Sequence, residues 1–359
     1  MNPSLNTWRL ISSLVMALSM CACAEERAQN SRIVTWTVYA AGVDGRIYEL
    51  DADSLHVTDS ILIISRKYSM ISRILVSPDG RNMYIHAHEY PPIRHTIYHV
   101  DTRTRSIISE VEGFEESPIL VDKGNILVVN KRYRDSQRSR CLILDIQTLA
   151  VVDSFPIGVR VHRASVDSRI VPVEMEGESK LRLLDLRTRT ITDEYDIPKL
   201  NPESNYSDLL YDVLLHEDQR TVLIARQFAF EIGDVSTGRN LVRVGRMREQ
   251  GEIAITEDGL TALVAYPSVW WTGTPDRLDV YDVTSGNRQG SILSERGNLF
   301  ASGRIALLPD RQRALTCADP GSSSVGEMHV IDVQTMTIAE SRSLPEVGYV
   351  TAIAVGRRP

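Results

Sequence analysis

The chain has 359 residues, of which 43% are hydrophobic and 24% are charged, a balance that supports a folded core and excludes a largely disordered protein. Its 47 acidic and 40 basic residues give a net charge of −7 and are spread along the chain without a block. Domains that bind nucleic acid usually concentrate basic residues on one face, so the composition argues against a nucleic-acid partner.

The first 23 residues have the composition of a bacterial export signal. A short segment with one positive charge precedes the apolar run Leu10–Met20, which is too short to cross a bilayer as a helix. The residues that follow, "CACAEE", fit three cleavage sites: a lipobox with its acceptor at Cys23, a lipobox with its acceptor at Cys21, and a small-x-small site before Glu25. We favour lipidation of Cys23, because Met20 is bulky for the position before a cut at Cys21. The sequence therefore predicts an exported protein at the periplasm or cell surface that contacts the membrane only through lipid.

A repeated pattern begins after a polar tether at residues 24–32. It consists of alternating apolar residues, an Asp, a turn with Thr or Ser, and another alternating strand, as in "IYHVDTRTRSIISEV" and "LDVYDVTSGNRQGSI". An Asp at this position accepts hydrogen bonds from the turn backbone, so the series predicts structural carboxylates and not catalytic ones. The seven members lie about 47 residues apart and are Asp51, Asp101, Asp145, Asp185, Asp234, Asp282 and Asp332.

A second hairpin precedes most copies, as in "RILVSPDGRNMYI" and "GEIAITEDGLTALVA". Each repeat therefore holds four strands, the size of a propeller blade, and no helix-length segment interrupts the series. The first repeat lacks its leading strand, whereas the chain ends in a strand, at about residues 349–356, with no blade after it. The sequence predicts an all-β fold at residues 33–356. This fold is a seven-bladed β-propeller of four-stranded antiparallel blades, closed by pairing of the C-terminal strand with the first blade.

The repeat resembles a known family. "ILVSPDGRNMYI" followed by "IYHVDTRTRSII" is similar to the YVTN-type β-propeller repeat, and the resemblance spans about residues 33–356. It implies the propeller fold. The family includes exported binding proteins, the non-catalytic heavy subunits of quinoprotein amine dehydrogenases, and enzymes of lactonase or lyase type. The chain departs from the repeat where "VNKR", "ARQF", "AYPS" and "CADP" replace the "VAN" segment.

A β-propeller has the shape of a disc, and the connections between strands differ on its two faces. Connections from second to third strands and from one blade to the next share one face and vary in length, as in "HAHEYPPIRHT" and "AYPSVWWTGTPDR"; we call it the loop-rich face. The opposite turns are short and uniform. Variable loops on a rigid scaffold usually carry binding, so we expect the ligand on the loop-rich face.

A histidine-rich segment is the first candidate site on that face. His86 and His88 lie two residues apart and point to one side of a strand, with Glu89 and His95 nearby. Imidazoles and a carboxylate are able to hold a divalent metal or to supply a general base. His86, His88 and Glu89 are thus the catalytic candidates, and His86, His88 and His95 the metal candidates. The alternative is a set of solvated or hydrogen-bonded loop histidines.

Two other sets point to ligand binding. Trp270 and Trp271 stand together in one loop, where large amphipathic rings often contact a partner, and packing between blades is the alternative. The second set falls at or near the starts of innermost strands at the mouth of the central channel, where it predicts a basic funnel for an anionic ligand or ion pairs between blades. Its members are Arg73, Arg163, Glu252 and Arg304.

Standard catalytic motifs such as GxSxG, HExxH and the P-loop do not occur in the sequence. We therefore expect a binding protein that engages a protein or small-molecule ligand through the loop-rich face. No cofactor is predicted, with a divalent metal at the histidines as the alternative. The alternative function is an enzyme or enzyme subunit, similar to the amine dehydrogenase heavy chain or to a lactonase or lyase with a His/Glu site.

Overall fold

A computed structural model describes most of the repeat region. The described residues are 35–64, 68–90, 93–114, 116–133, 138–157, 159–175, 180–197, 210–226, 229–245, 252–256, 258–266, 277–293, 305–310, 312–318 and 326–358. Their regular structure consists of strands, and no helix long and apolar enough to span a membrane occurs among them.

The strands follow one another in the order that the repeat predicts. Those up to residue 157 are β1 (Trp36–Gly42), β2 (Arg46–Asp51), β3 (Val57–Leu62), β4 (Tyr68–Val76), β5 (Asn82–Tyr90), β6 (Arg94–Asp101), β7 (Ser106–Glu112), β8 (Ile119–Val121), β9 (Ile126–Tyr133), β10 (Arg138–Leu144) and β11 (Val151–Ile157). Those up to residue 245 are β12 (Val159–Val161), β13 (Arg163–Ala164), β14 (Ile170–Met175), β15 (Lys180–Asp185), β16 (Thr190–Asp196), β17 (Leu210–Leu215), β18 (Thr221–Arg226), β19 (Ala229–Asp234) and β20 (Arg239–Gly245). The remaining strands are β21 (Ile253–Ile255), β22 (Thr261–Tyr266), β23 (Arg277–Asp282), β24 (Arg288–Leu293), β25 (Ile305–Leu307), β26 (Arg313–Ala318), β27 (Gly326–Asp332), β28 (Thr337–Leu344) and β29 (Val350–Arg357).

These strands form a seven-bladed β-propeller, as predicted. Blade 1 has the strand order β29-β1-β2-β3, and blades 2 and 3 are β4 to β7 and β8 to β11. Blade 4 has the order β12-β14-β15-β16, and blades 5, 6 and 7 begin at β17, β21 and β25. The innermost strands surround the central channel, where β29 contacts β4 and β25, β21 contacts β17 and β25, and β13 contacts β8 and β17.

The ring closes between the two ends of the repeat region. β29 pairs antiparallel with β1, with Val38 opposite Val355 and Ala40 opposite Ile353. The predicted closure is therefore confirmed: the last strand supplies the inner strand that the first repeat lacks. This pairing satisfies backbone groups that would otherwise form an open sheet edge.

The core lies between successive blades. Blade 1 contributes Tyr39 and Ile47, and blade 2 contributes Ile85 and Tyr98, to one cluster of buried side chains. Comparable clusters occupy the other blade interfaces among the described residues. Full burial of a large apolar side chain contributes about 1.5–3 kcal/mol, so the stacked faces supply most of the stabilisation. The outermost strands, such as β7 and β16, have mostly exposed residues.

The repeated carboxylates close turns on their own backbone. The Asp145 carboxylate accepts hydrogen bonds from the amides of Gln147 and Thr148, at 3.0 and 2.7 Å, and from the Thr148 hydroxyl at 2.8 Å. The bonds from Thr148 and Gln147 hold the pKa of Asp145 below its usual range. The other members accept similar bonds, so the series is structural, as predicted: Asp51, Asp101, Asp185, Asp234, Asp282 and Asp332.

Blade 4 departs from the regular pattern at its inner strand. β12 pairs with β14, but after His162 the chain changes partner, and β13 pairs in parallel with β17 of blade 5. The His162 amide donates to the carbonyl of Pro172 at 2.8 Å, which ties the crossing segment to β14. This shift brings Arg163 next to the inner strand of blade 5.

The two cysteines beyond the signal region lie in different blades. Cys141 is in β10 and Cys317 in β26, and both thiols are buried. Burial raises the pKa of Cys141 to about 12, so its thiol stays protonated at neutral pH.

Deletion of residues 347–359 should abolish cooperative unfolding, because it removes β29 and exposes the paired edge of β1. Thermal unfolding followed by circular dichroism, together with the soluble fraction, measures the effect. Deletion of residues 358–359 alone is the control and should leave the melting temperature unchanged. An unchanged melting temperature for the longer deletion would contradict the closure.

Candidate functional site

The structure describes part of the predicted site. His86, His88, Glu89, His95, Arg73, Arg163 and Glu252 are among the described residues. Five predicted residues lie outside them: Trp270, Trp271, Arg304 and the two lipidation candidates, Cys23 and Cys21.

Four charged side chains meet in the central channel, and we call them the channel charge cluster: Arg73, Arg163, Asp212 and Glu252. Arg163 donates from Nε to Asp212 Oδ1 at 2.8 Å, and its Nη2 contacts the second carboxylate oxygen. Glu252 Oε1 accepts from Nη1 of Arg73 at 3.3 Å and from Nη1 of Arg163 at 3.4 Å. The shared carboxylate thus joins the two arginines.

The cluster links blades that are not neighbours in the ring. Arg73 lies in β4 of blade 2, Asp212 in β17 of blade 5, and Glu252 directly before β21 of blade 6. The bond from Arg73 to Glu252 therefore crosses the channel. The carboxylates also accept backbone amides, that of Ile253 at Asp212 Oδ2 (3.2 Å) and that of Ile305 at Glu252 Oε2 (3.0 Å).

Charges within the cluster compensate one another. Burial alone would lower the pKa of Arg163, but the carboxylates of Asp212 and Glu252 raise it, so the guanidinium remains charged. Among the described residues, the two cations and two anions form ion pairs between blades, while Arg304, the remaining member of the predicted funnel, lies outside the described residues. Asp212 was not among the site residues predicted from the sequence. Its signal was a single acid inside the apolar strand "LLYDVLL".

Space adjoins the cluster on several sides. A cavity of about 220 Å³ is lined by Arg73, Arg163 and Glu252 together with β25 and β29. Another, of about 380 Å³, runs from Arg163 along the inner strands of blades 5 and 6 to Glu217 and Thr256 in the short turns. The charged side chains thus stand at the boundary of open volume in the channel.

Three imidazoles form a second group, the histidine cluster: His86, His88 and His95. His88 in β5 is directly opposite His95 in β6, and His86 lies two residues before His88 on the same face. One ring nitrogen from each lies within 4.8 Å of the others. His86 is buried, while His88 and His95 are half-buried near the ends of their strands on the loop-rich side.

Glu89 lies on the other face of β5. Its carboxylate is buried and accepts from the Tyr98 hydroxyl at 2.8 Å, with the Thr96 hydroxyl at 3.5 Å. Successive residues of a strand point to opposite faces, so Glu89 faces blade 1 and His88 faces blade 3. The structure does not bring Glu89 and the histidines together into one acid–base site.

The fold is shared with proteins of different kinds. A functionally unknown protein from Desulfotomaculum acetoxidans has a TM-score of 0.63 and 13% identity, over 90% of this chain and 99% of that chain. A putative 6-phosphogluconolactonase from Bacteroides fragilis has a TM-score of 0.62 and 11% identity, over 91% and 99%. Dihydro-heme d1 dehydrogenase NirN has a TM-score of 0.56 and 17% identity over 86% of this chain, which spans 63% of that chain.

The likeness is one of fold. At these identities the structures show a β-propeller and leave the activity of this chain open. No protein-family model and no curated protein matches the sequence.

Removing one partner from the channel charge cluster should destabilise the fold. Arg163→Met leaves Asp212 without its ion pair, and Asp212→Leu leaves Arg163 with Glu252 alone, which is shared with Arg73. We expect each substitution to lower the free energy of unfolding by about 2–3 kcal/mol. The double variant should lose less than the sum, with a coupling energy of at least about 1 kcal/mol in urea unfolding.

The exposed pair Arg94 and Glu112, whose Nη1–Oε1 distance is 3.0 Å, provides the matched control. Its coupling energy should stay below about 1 kcal/mol because solvent screens it. Additive effects at Arg163 and Asp212, within about 0.5 kcal/mol, would mean that the cluster is not a unit.

Proposed function

We propose that this chain is an exported, lipid-anchored propeller of the YVTN type that binds a protein or small-molecule ligand through its loop-rich face. The observation that carries the proposal is the channel charge cluster, which the sheets of blades 2, 5 and 6 bring together around the central channel. The polar, partly accessible group adjoins open volume, as binding sites do.

The contrast between the two faces supports the choice of side. On the turn face, carboxylates such as Asp145 and Asp282 are engaged with the backbone of their own turns. On the loop-rich side, Glu252 stands before its strand, and His88 and His95 lie next to a connection. These side chains do not close a turn of their own backbone, and Glu252 joins residues of different blades instead.

The energetics of the cluster point the same way. Moving charged groups out of water costs several kcal/mol per ion, and well-packed apolar residues in the same place often give equal or greater stability. Glu252 Oε1 is shared between two arginines at 3.3 and 3.4 Å, so an anionic ligand group would compete with it for the same donors. We therefore favour a ligand that carries a carboxylate or phosphate.

The lipid anchor is tested by fractionation. Cys23→Ser should release the protein from the membrane fraction, because it removes the acyl acceptor. Cys21→Ser is the matched control and should remain in the membrane fraction. If Cys21→Ser alone releases the protein, the lipidated residue is Cys21 and not Cys23. A wild-type protein that is already soluble in the periplasm would refute the lipid anchor.

The binding face is tested within a single blade. Trp270 and Trp271 lie between β22 and β23 in the chain, and the exposed Leu260 lies in the short turn before β22. Truncating a contact tryptophan costs about 2 kcal/mol or more, roughly a thirtyfold loss of affinity. Trp270→Ala with Trp271→Ala should therefore deplete the ligand that co-purifies from native membranes, measured by mass spectrometry.

Leu260→Ala should retain that ligand in full, and both variants should melt as the wild type does. If Leu260→Ala lost the ligand while the double tryptophan variant kept it, binding would belong to the turn face and the proposal would fail.

A further inference from the structure

We infer that His86, His88 and His95 form a binding site for a divalent first-row transition metal, with Zn²⁺ as the best fit. The inference stands on the geometry of blades 2 and 3 and does not require the export or the ligand proposed above. Three features of the cluster carry it: the convergence of the rings, the hydrogen bond that orients His86, and a buried nitrogen of His95.

The rings converge because a hairpin places them together. Cross-strand partners on one face of an antiparallel pair are the closest side-chain neighbours in a sheet, and His88 and His95 are such a pair. Ring centroids are separated by 4.6 Å for His88 and His95, 4.8 Å for His86 and His88, and 5.9 Å for His86 and His95. Three imidazoles therefore surround one point at the interface between blades 2 and 3.

His86 is oriented in the way that metal ligands usually are. Its Nε2 lies 2.9 Å from the carbonyl oxygen of Phe114 in the chain leading to blade 3. A carbonyl only accepts, so Nε2 carries the proton and Nδ1 keeps a lone pair. Metal-binding histidines commonly donate their second ring nitrogen to a backbone carbonyl, which fixes the tautomer and the ring plane.

Hydroxyl groups occupy the inner side of the cluster. Ser72 Oγ lies 2.9 Å from His86 Nδ1 and 3.0 Å from His88 Nε2, and Ser117 Oγ lies 3.2 Å from His86 Nδ1. The Ser72 hydroxyl donates to the lone pair of His86 and accepts from His88 in the neutral state. A metal ion would take over the lone pair of His86 and displace this weaker contact.

His95 supplies the observation that favours a ligand over a purely structural group. Its Nδ1 is buried and forms no hydrogen bond with any residue that the structure describes. Buried polar atoms in proteins are nearly always satisfied, so an orphaned ring nitrogen beside two other imidazoles calls for a partner. A cation that accepts its lone pair would satisfy it.

The donor set selects the class of metal. Imidazole nitrogen suits zinc, copper, nickel and iron, whereas calcium and magnesium require oxygen ligands. Three histidines with a free fourth position form a common zinc arrangement, with bonds of about 2.0–2.1 Å. A tetrahedral site needs nitrogens about 3.4 Å apart, so the rings must rotate inward from their present separation of up to 4.8 Å.

The test is a titration of the purified, tag-free protein with ZnCl2 by isothermal calorimetry. We expect one equivalent of Zn²⁺ to bind, and Co²⁺ in the same site to give the intense visible bands of tetrahedral coordination. His88→Ala with His95→Ala should weaken binding by at least about a hundredfold. Zn²⁺ should also raise the melting temperature of the wild type but not of this variant.

His56→Ala is the matched control, because this exposed histidine lies in the turn between β2 and β3, in contact with Arg342. It should bind Zn²⁺ as the wild type does. If the double variant does not fold, His95→Asn gives the same comparison with a smaller change. The inference is overturned if the wild type binds less than about a tenth of an equivalent, or if the folded histidine variant binds as tightly as the wild type.

Discussion

The pairing of β1 with β29 is the constraint on which the rest of the structure depends. Each blade buries its two faces only against its neighbours, so an open row of seven blades would leave two large apolar faces and a bare sheet edge in water. Antiparallel hydrogen bonds between Trp36–Gly42 and Val350–Arg357 remove both exposed ends at once. The first blade thereby combines strands from the two ends of the repeat region.

The channel charge cluster requires the closed ring, whereas the histidine cluster requires two adjacent blades. The channel charge cluster takes side chains from the sheets of blades 2, 5 and 6, and Arg73 reaches Glu252 only because the inner strands surround a common channel. The histidine cluster needs only two blades, but Phe114 and Ser117 must be packed against blade 2 to orient His86. The propeller is thus a rigid frame, and the chemistry depends on a few side chains where blades meet.

The fold could be predicted because its causes are local and repeated. The alternation of apolar residues, the Asp-containing turns and the unmatched first and last strands each indicate the same propeller, and the turn carboxylates have the role that the sequence predicts. The sites were harder to predict. Side chains alternate between the two faces of a strand, and this rule predicted that His86 and His88 share one face. The same rule would also have placed Glu89 on the opposite face. The contact of Arg163 with Asp212 depends on the change of partner at His162, which no sequence period reveals.

Amide hydrogen exchange tests most directly whether the ring is one cooperative unit. If β1 and β29 are paired inner strands, the amides of Val38, Ala40 and Ile353 should exchange only through global unfolding, as slowly as those of buried strands such as β22 and β26. Mass spectrometry of peptides from residues 36–42 and 350–357 would then give the same protection as peptides from those central strands. Rapid exchange in either terminal peptide, with the other blades still protected, would show that the ring is open and would contradict the account.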